Sequence, residues 1–446
     1  MTPETAARDP DHQERERLLR MLTAATFVIF FQAYMVAPII PALSSTFGTS
    51  VQTVGLIVPA YLIPYGIATL IYGLLADRLG VQRVMFASLA AFAVLTALTA
   101  TANSIAQIAL WRVLTGVGAS GVVPLALVLV AKLFPYEQRG RPLGWLFGAM
   151  AGGMAFGAPL GAMLVPFIGW RGLFLLAGTA GGIVLMMFLP YRRMIATAMQ
   201  SVGGTLGDLV RGYASLLGSP RGQRTYGYVF LNSIFHSGVF TWLGVYLQRR
   251  YGLGPVGIGL ALLGYGIPGF LFGPLIGRAA DRWGRARLLP MGLGLSALAA
   301  ALLLVDFPVM FAPVVAMLLS LGYDMTQPLL AGIVTSLGGK RPGQAMGLNV
   351  FTLFVGFGLG SLMFGSVAAL RLRGRAGSVF GYRVDGCRMY SMVVSIRDSL
   401  ENASSRDPVK VAGHSLGVMH RRPWLPRAFC RICAAARDCS HSSAGE

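Results

Sequence analysis

Long apolar runs separated by short basic connections fill the chain from Leu22 to Leu370. Crossing a bilayer takes roughly 20 predominantly apolar residues in a helix. Eleven runs meet that need, at 22–43, 51–75, 84–102, 105–133, 144–167, 172–189, 226–247, 257–276, 288–305, 309–337 and 346–370. We number them spans 1 to 11. A polar stretch from Tyr191 to Arg224 separates spans 6 and 7. The first run is too long for a cleaved signal peptide, and further spans follow it.

A repeat lies beneath this pattern. The segment Gly73-Leu-Leu-Ala-Asp77-Arg78-Leu-Gly80-Val-Gln-Arg83 returns 204 residues later, with the six shared residues in register, as Gly277-Arg-Ala-Ala-Asp281-Arg282-Trp-Gly284-Arg-Ala-Arg287. The same offset carries Gly118 onto Gly322 and Pro124 onto Pro328, and an offset of 203 carries Gly144 onto Gly347 and Gly157 onto Gly360. A register held through several helices marks a duplicated architecture. The expected fold is an all-α polytopic membrane protein: two six-helix pseudo-repeats around a central cavity, with the second half truncated so that eleven spans remain.

Composition agrees, since 55% of the residues are hydrophobic and only 12% charged, against about 25% charged in soluble domains. The net charge of +20 would suit nucleic-acid binding if it were clustered. Instead the arginines and lysines gather before span 1, between spans 2 and 3, 4 and 5, 6 and 7, and 8 and 9, and after span 10. Only Arg171, Arg249 and Arg250 occupy the intervening connections. Positive charge on alternate loops sets orientation, so the N-terminus and the long linker are expected in the cytoplasm and the chain in the plasma (inner) membrane. The partners this implies are the lipid bilayer and no nucleic acid.

The residues also carry a family resemblance. Gly73–Arg83 resembles the loop motif between helices two and three of the major facilitator superfamily. Arg112-Val-Leu-Thr-Gly116-Val-Gly118-Ala119 resembles that family's helix-four motif, and Gly153-Met-Ala-Phe-Gly157-Ala-Pro159-Leu-Gly161-Ala162 resembles the helix-five signature of its twelve-helix drug:proton antiporters. In the helix-five segment the proline falls one place late, and Ala162 stands where a second glycine is usual. The resemblance covers residues 20 to 370. It implies alternating access, a small-molecule substrate, protons as coupling ion, a monomer, and neither cofactor nor metal. It also implies that Gly73, Asp77, Arg78, Gly80, Arg83, Asp281 and Arg282 form a latch made and broken with the cytoplasmic gate. A carboxylate at such a turn can pair with an arginine or a helix N-terminus, which is the differential contact a two-state element needs.

Ionisable residues inside the spans are few and costly to bury, so each is a candidate. Asp324 lies well inside span 10 and is the first choice for a coupling carboxylate; a structural ion pair is the plainer alternative. Arg112 lies about a third of the way along span 4, suited to a substrate or proton relay, or to a packing role. His236 in span 7 can titrate near neutral pH, or simply join helices by hydrogen bonds. Gln32 and Tyr34 on span 1 would complete a ring around the cavity. Phe31, Phe235, Met325 and Gln327 would line it for substrate.

The chain is thus expected to divide into a cytoplasmic segment (1–20), a six-helix bundle (21–190), a cytoplasmic linker (191–225), a five-helix bundle lacking its twelfth helix (226–370) and a polar tail (371–446). Where the repeat predicts a twelfth helix, near Gly374, the sequence is dense in arginine, and all four cysteines follow Asp385. The tail reads as out-of-frame sequence, with a natural polar tail as the alternative, and is expected to form no span and no domain. Its Gly413-His-Ser415-Leu-Gly417 and Cys430-Arg-Ile-Cys433 matches have no scaffold for hydrolase or zinc chemistry, and no enzyme is expected. The function expected is proton-coupled efflux of a small molecule or drug. The alternatives are a substrate-specific symporter or facilitator of the same superfamily, or an inactive frameshifted product.

Overall fold

The computed structural model describes residues 10–134, 140–197, 206–338 and 342–374. The chain divides into two units, at Ser378 and Val379; the second, and with it the polar tail beyond Gly374 and the question of a twelfth span, lies outside the described residues.

Every regular element among the described residues is a helix. Seven helical segments are long and apolar enough to cross a membrane: Gln13–Phe47, Val51–Ala76, Val81–Thr99, Ile105–Val130, Arg141–Ala196, Val309–Leu337 and Gly343–Ser366. Arg141–Ala196 runs 56 residues and turns at Gly169, where φ is 70°, so it holds spans 5 and 6. Spans 7, 8 and 9 are also helical but fall short of that criterion, each for its own reason. Span 7, Pro220–Tyr251, carries Asn232, His236 and Gln248 and arginines at both ends. Span 8 is interrupted between Pro255–Ala261 and Ile267–Trp283, and span 9, Arg285–Leu302, is short. All eleven expected spans are therefore present as helix.

The repeat is visible in the backbone. Span 2 ends and span 3 begins at Gly80, with φ 88° and ψ 136°; span 8 ends and span 9 begins at Gly284, with φ 80° and ψ 151°. A left-handed φ of this kind suits glycine alone, which explains the glycine shared by both copies of the loop motif. Arg78, Arg83 and Arg282 are exposed at these turns. The side chains of Asp77 and Asp281 lie outside the described ones, so the contacts of the expected latch do too.

Spans 1 and 5 pack through a ridge of small residues four apart. A Cβ on Gly153, Gly157 or Gly161 would stand 2.7, 2.6 or 2.7 Å from the backbone oxygen of Phe27, Phe31 or Met35, respectively. Such close backbone approach is how membrane helices associate when lipid removes the hydrophobic drive between them. Spans 7 and 11 repeat the contact 203 residues on, with Gly356 over Phe230 and Gly360 over Ile234. At the third position the sizes are exchanged: Phe364 lies against Gly238, where a Cβ would meet its ring at 2.4 Å.

The halves meet along spans 2 and 11 and along spans 5 and 8. Gly66 lies against Phe354, Gly358 against Ile63, Gly259 against Met163 and the Pro159 carbonyl, and Gly266 against Ala155. The Trp242 ring fills the space between Gly55 and Gly365, and its Nε1 donates to the Ser361 carbonyl at 2.9 Å. On the side of the N-terminus, the stretch read as a linker contains the helix Leu206–Gly218. Gln344 Nε2 donates to the Leu209 carbonyl at 2.7 Å, and Tyr213 donates to the Leu70 carbonyl of span 2 at 3.4 Å. Burial pushes the Tyr213 hydroxyl up to about 12, so it remains a donor at any physiological pH.

Candidate transport site

Arg112 is completely buried. Between the short helix Val51–Gly55 and the next, which starts at Pro59, the Tyr61 N–H turns back to the Val58 carbonyl. The Ile57 carbonyl is thereby left to Arg112 Nε, which donates to it at 3.3 Å. The guanidinium lies over the Tyr61 ring, 4.2 Å from its centroid. Its two terminal nitrogens and the Tyr61 hydroxyl have no hydrogen-bond partner among the described residues. A buried cation held by one carbonyl and one ring is far from satisfied, because a guanidinium offers five donors.

His236 belongs to a second cluster. Its Nε2 is hydrogen-bonded to the Tyr265 hydroxyl, which the interruption of span 8 carries inward. The imidazole stacks on Tyr323 at 3.9 Å between centroids, with Phe357 at 6.0 Å. Tyr34 of span 1 enters the same group, 5.1 Å from Phe240 and 6.4 Å from Tyr265. The centre between the halves is thus filled by rings from spans 1, 7, 8, 10 and 11. Through Phe357–Phe354 at 5.9 Å, Phe354–Tyr65 at 4.3 Å and Tyr65–Tyr61 at 5.7 Å, the rings continue as far as Arg112.

Asp324 adjoins this cluster. Its Oδ2 accepts from Ser320 Oγ at 2.8 Å, and the Ser320 Oγ accepts the Gly266 N–H at 2.9 Å. A Cβ on Gly269 would fall 2.7 Å from the carboxylate, so only glycine leaves room there. Among the described residues no lysine or arginine forms an ion pair with it.

The remaining sequence candidates scatter. Among the described residues, fully buried Gln32 has neither amide atom partnered, and Gln327 Nε2 is likewise without a hydrogen-bond partner. Phe31 stacks on Phe27 at 6.1 Å and offers its backbone to Gly157. Phe235 is half-buried on span 7. Met325 packs with Ile276, Leu288 and Leu329 between spans 8, 9 and 10, apart from the ring cluster. A small cavity opens elsewhere, between Pro38, Pro41, Val165, Gln248 and Ile258 at the far ends of spans 1, 5, 7 and 8.

Reading the sequence did not single out Tyr61, Tyr265, Tyr323, Ser320 or Gly269. Tyr61 and Tyr265 are the same repeat position, 204 residues apart, a signal that was present. Ser320 lies one helical turn before Asp324, a spacing that places both on one face.

Two helical bundles related by a sequence repeat, closed on each other over buried ionisable groups, define a secondary transporter of the parallel-repeat class. The chain belongs to the Major Facilitator Superfamily, whose family model matches residues 22–367. It is 27% identical over 379 residues to the uncharacterized MFS-type transporter YwfA of Bacillus subtilis (strain 168), covering 82% of this chain and 92% of that one. To the quinolone resistance protein NorA of Staphylococcus aureus (strain MRSA252) it is 23% identical, covering 76% and 87%. In fold it is similar to a bacterial homolog of the human lysosomal transporter Spinster in an inward-facing, unoccupied conformation, with a TM-score of 0.66 at 16% identity, covering 89% and 96%.

Proposed function

We propose that this transporter is a proton-coupled exporter of small organic molecules, working by alternating access in the plasma membrane with its N-terminus in the cytoplasm. The observation that carries this reading is Asp324, a carboxylate beside the ring cluster, held by the Ser320 hydroxyl and the Gly269 backbone, with no described cation to pair with. A carboxylate so placed can hold a proton on one side of the membrane and give it up on the other, since no described cation holds it as an ion. The name of NorA, a quinolone resistance protein, supports export. In this reading the aromatic cluster around His236 offers an adaptable apolar surface to the substrate. The protein works as a monomer, and Gly73, Asp77, Arg78, Gly80, Arg83, Asp281 and Arg282 act as the latch.

The test is drug susceptibility together with proton flux in cells and proteoliposomes. Asp324→Asn should be made and inserted normally yet lose uphill transport, because an amide cannot cycle a proton. Full proton-coupled transport by this variant removes Asp324 from the coupling role. A second reading rests on Arg112, whose unpartnered terminal nitrogens suit an anionic substrate and so an organic-acid symporter or facilitator. Uptake of an organic acid that Arg112→Gln abolishes and a drug panel leaves unaffected would favour it.

A further inference from the structure

The Ser320 hydroxyl stands between two things that alternating access has to connect: a titratable carboxylate and a break in a helix. On one side it donates to Asp324 Oδ2 at 2.8 Å. On the other it accepts the N–H of Gly266 at 2.9 Å. Gly266 ends the interruption of span 8, with φ at 81°. It is also a contact between the halves, because a Cβ there would fall 2.4 Å from Ala155 Cα of span 5. A continuous path of two hydrogen bonds therefore runs from the carboxylate to the hinge residue that touches the other half.

We propose that Ser320 is a positioning residue that reports the protonation of Asp324 to the span 8 hinge at Gly266, and through it to the span 5 contact. This rests on Asp324 being the coupling carboxylate.

The chemistry follows from donor and acceptor counts. An ionised Asp324 only accepts, so the Ser320 hydrogen points at it and the Ser320 lone pairs face Gly266. Charge assistance strengthens both bonds in such a chain. When Asp324 takes up a proton, its new O–H becomes a donor and the negative charge is gone. Ser320 then either keeps a neutral, weaker bond or turns its hydrogen to the backbone carbonyl one turn back, the usual alternative for a helical serine. In both cases the Gly266 N–H loses a charge-assisted partner and the hinge loosens. Deprotonation pins the break and holds span 8 against span 5; protonation frees it. The titratable groups facing Asp324 are Tyr34 on span 1, Tyr265 at the span 8 break and Tyr323 on its own helix, and His236 of span 7 stacks on Tyr323.

Hydrogen exchange of the 262–270 segment in the full-length protein tests this directly, beside proton-driven transport as a function of pH. At a pH where the wild-type segment is protected, Ser320→Ala should speed its exchange roughly tenfold, the size of one charge-assisted bond. Asp324→Asn, a permanent mimic of the neutral acid, should do the same, and the double variant should do no more than either. Ser320→Thr, which keeps the hydroxyl, should restore protection and the wild-type pH profile. Wild-type protection and an unshifted pH profile in Ser320→Ala would overturn the proposal, as would additive effects in the double variant. The parent reading fails separately, if Asp324→Asn still transports uphill; the exchange result then stands or falls by itself.

Discussion

The two halves share a backbone plan and differ in what they do with it. Spans 1 and 5 and spans 7 and 11 pack through the same ridge, and spans 2–3 and 8–9 join through the same glycine turn. The ionisable groups inside the spans, by contrast, are opposite in sign and unmatched by the repeat. Arg112 in the first half corresponds to Ala316 in the second, and Asp324 corresponds to Ser120. Ser120 is fully buried and only returns a bond to the Val117 carbonyl at 2.8 Å. The repeat therefore preserves the helix packing and leaves the polar interior free to specialise.

The halves also differ in how well they are covered. Met85, Leu89 and Ala93 on span 3 are buried beneath span 6, where Gly178 and Gly181 lie against Ala93 and Phe92. The equivalent positions on span 9, Leu289, Leu293 and Ala297, are partly exposed. No helix among the described residues takes the place of span 6 there. Span 9 thus shows in its own accessibility where the repeat asks for one more helix.

The largest effect expected from a single change is on the ridge. Gly157→Leu and Gly360→Leu should each cost at least about 3 kcal/mol, enough to abolish folded protein in a thermal-unfolding assay, because the backbone opposite cannot move aside. At the exchanged position, Gly161→Phe alone should be equally harmful, whereas Gly161→Phe with Met35→Gly should recover much of the loss. Equal stability of the single and double variants would mean that the size exchange is incidental. Next in size is the asymmetry of cover. Leu89→Ala should destabilise by roughly 2–5 kcal/mol, the range for a fully buried leucine, and Leu293→Ala by about half that or less. Matching losses would show that span 9 is covered after all.

Polar specialisation gives a functional contrast. Ser120→Ala should leave transport intact and change stability by about 1 kcal/mol or less, while Asp324→Asn removes coupling. The smallest expected effect lies at the ends of the spans furthest from the N-terminus. The first half fastens that end with Arg171, which donates to the Ala102 carbonyl at 3.0 Å. At the position corresponding to Ala102, the second half places Asp306, in an ion pair with Arg250. Asp306 is 94% exposed, so the pair is worth about 1 kcal/mol or less and should fade in salt. Melting of Arg250→Gln and Arg171→Gln at low and high ionic strength should show salt dependence in the first alone.

Most of the fold was legible because a bilayer demands long apolar runs and the duplication supplies a second copy of each signal. The interruptions at 56–58 and 262–266 were not, since Pro59 and Pro268 mark a change of backbone without saying which carbonyl or hydroxyl it releases. Asp324, Arg112 and His236 stood out because charge inside a span is rare. Their surroundings depend on which face each helix turns inward. That is why Tyr323 proved to stack on His236, while Met325, two residues further on, faces the packing of spans 8, 9 and 10 instead.

The exchange of glycine and phenylalanine between the ridges sets a rule for grafting. Moving span 5 into the second half would lay Gly161 over Gly238 and leave a gap. Span 11 moved into the first half would drive Phe364 onto Met35. Spans 1 and 5 can be transplanted together, as can 7 and 11, so the unit that a chimera of this protein can borrow is a pair of helices, never one.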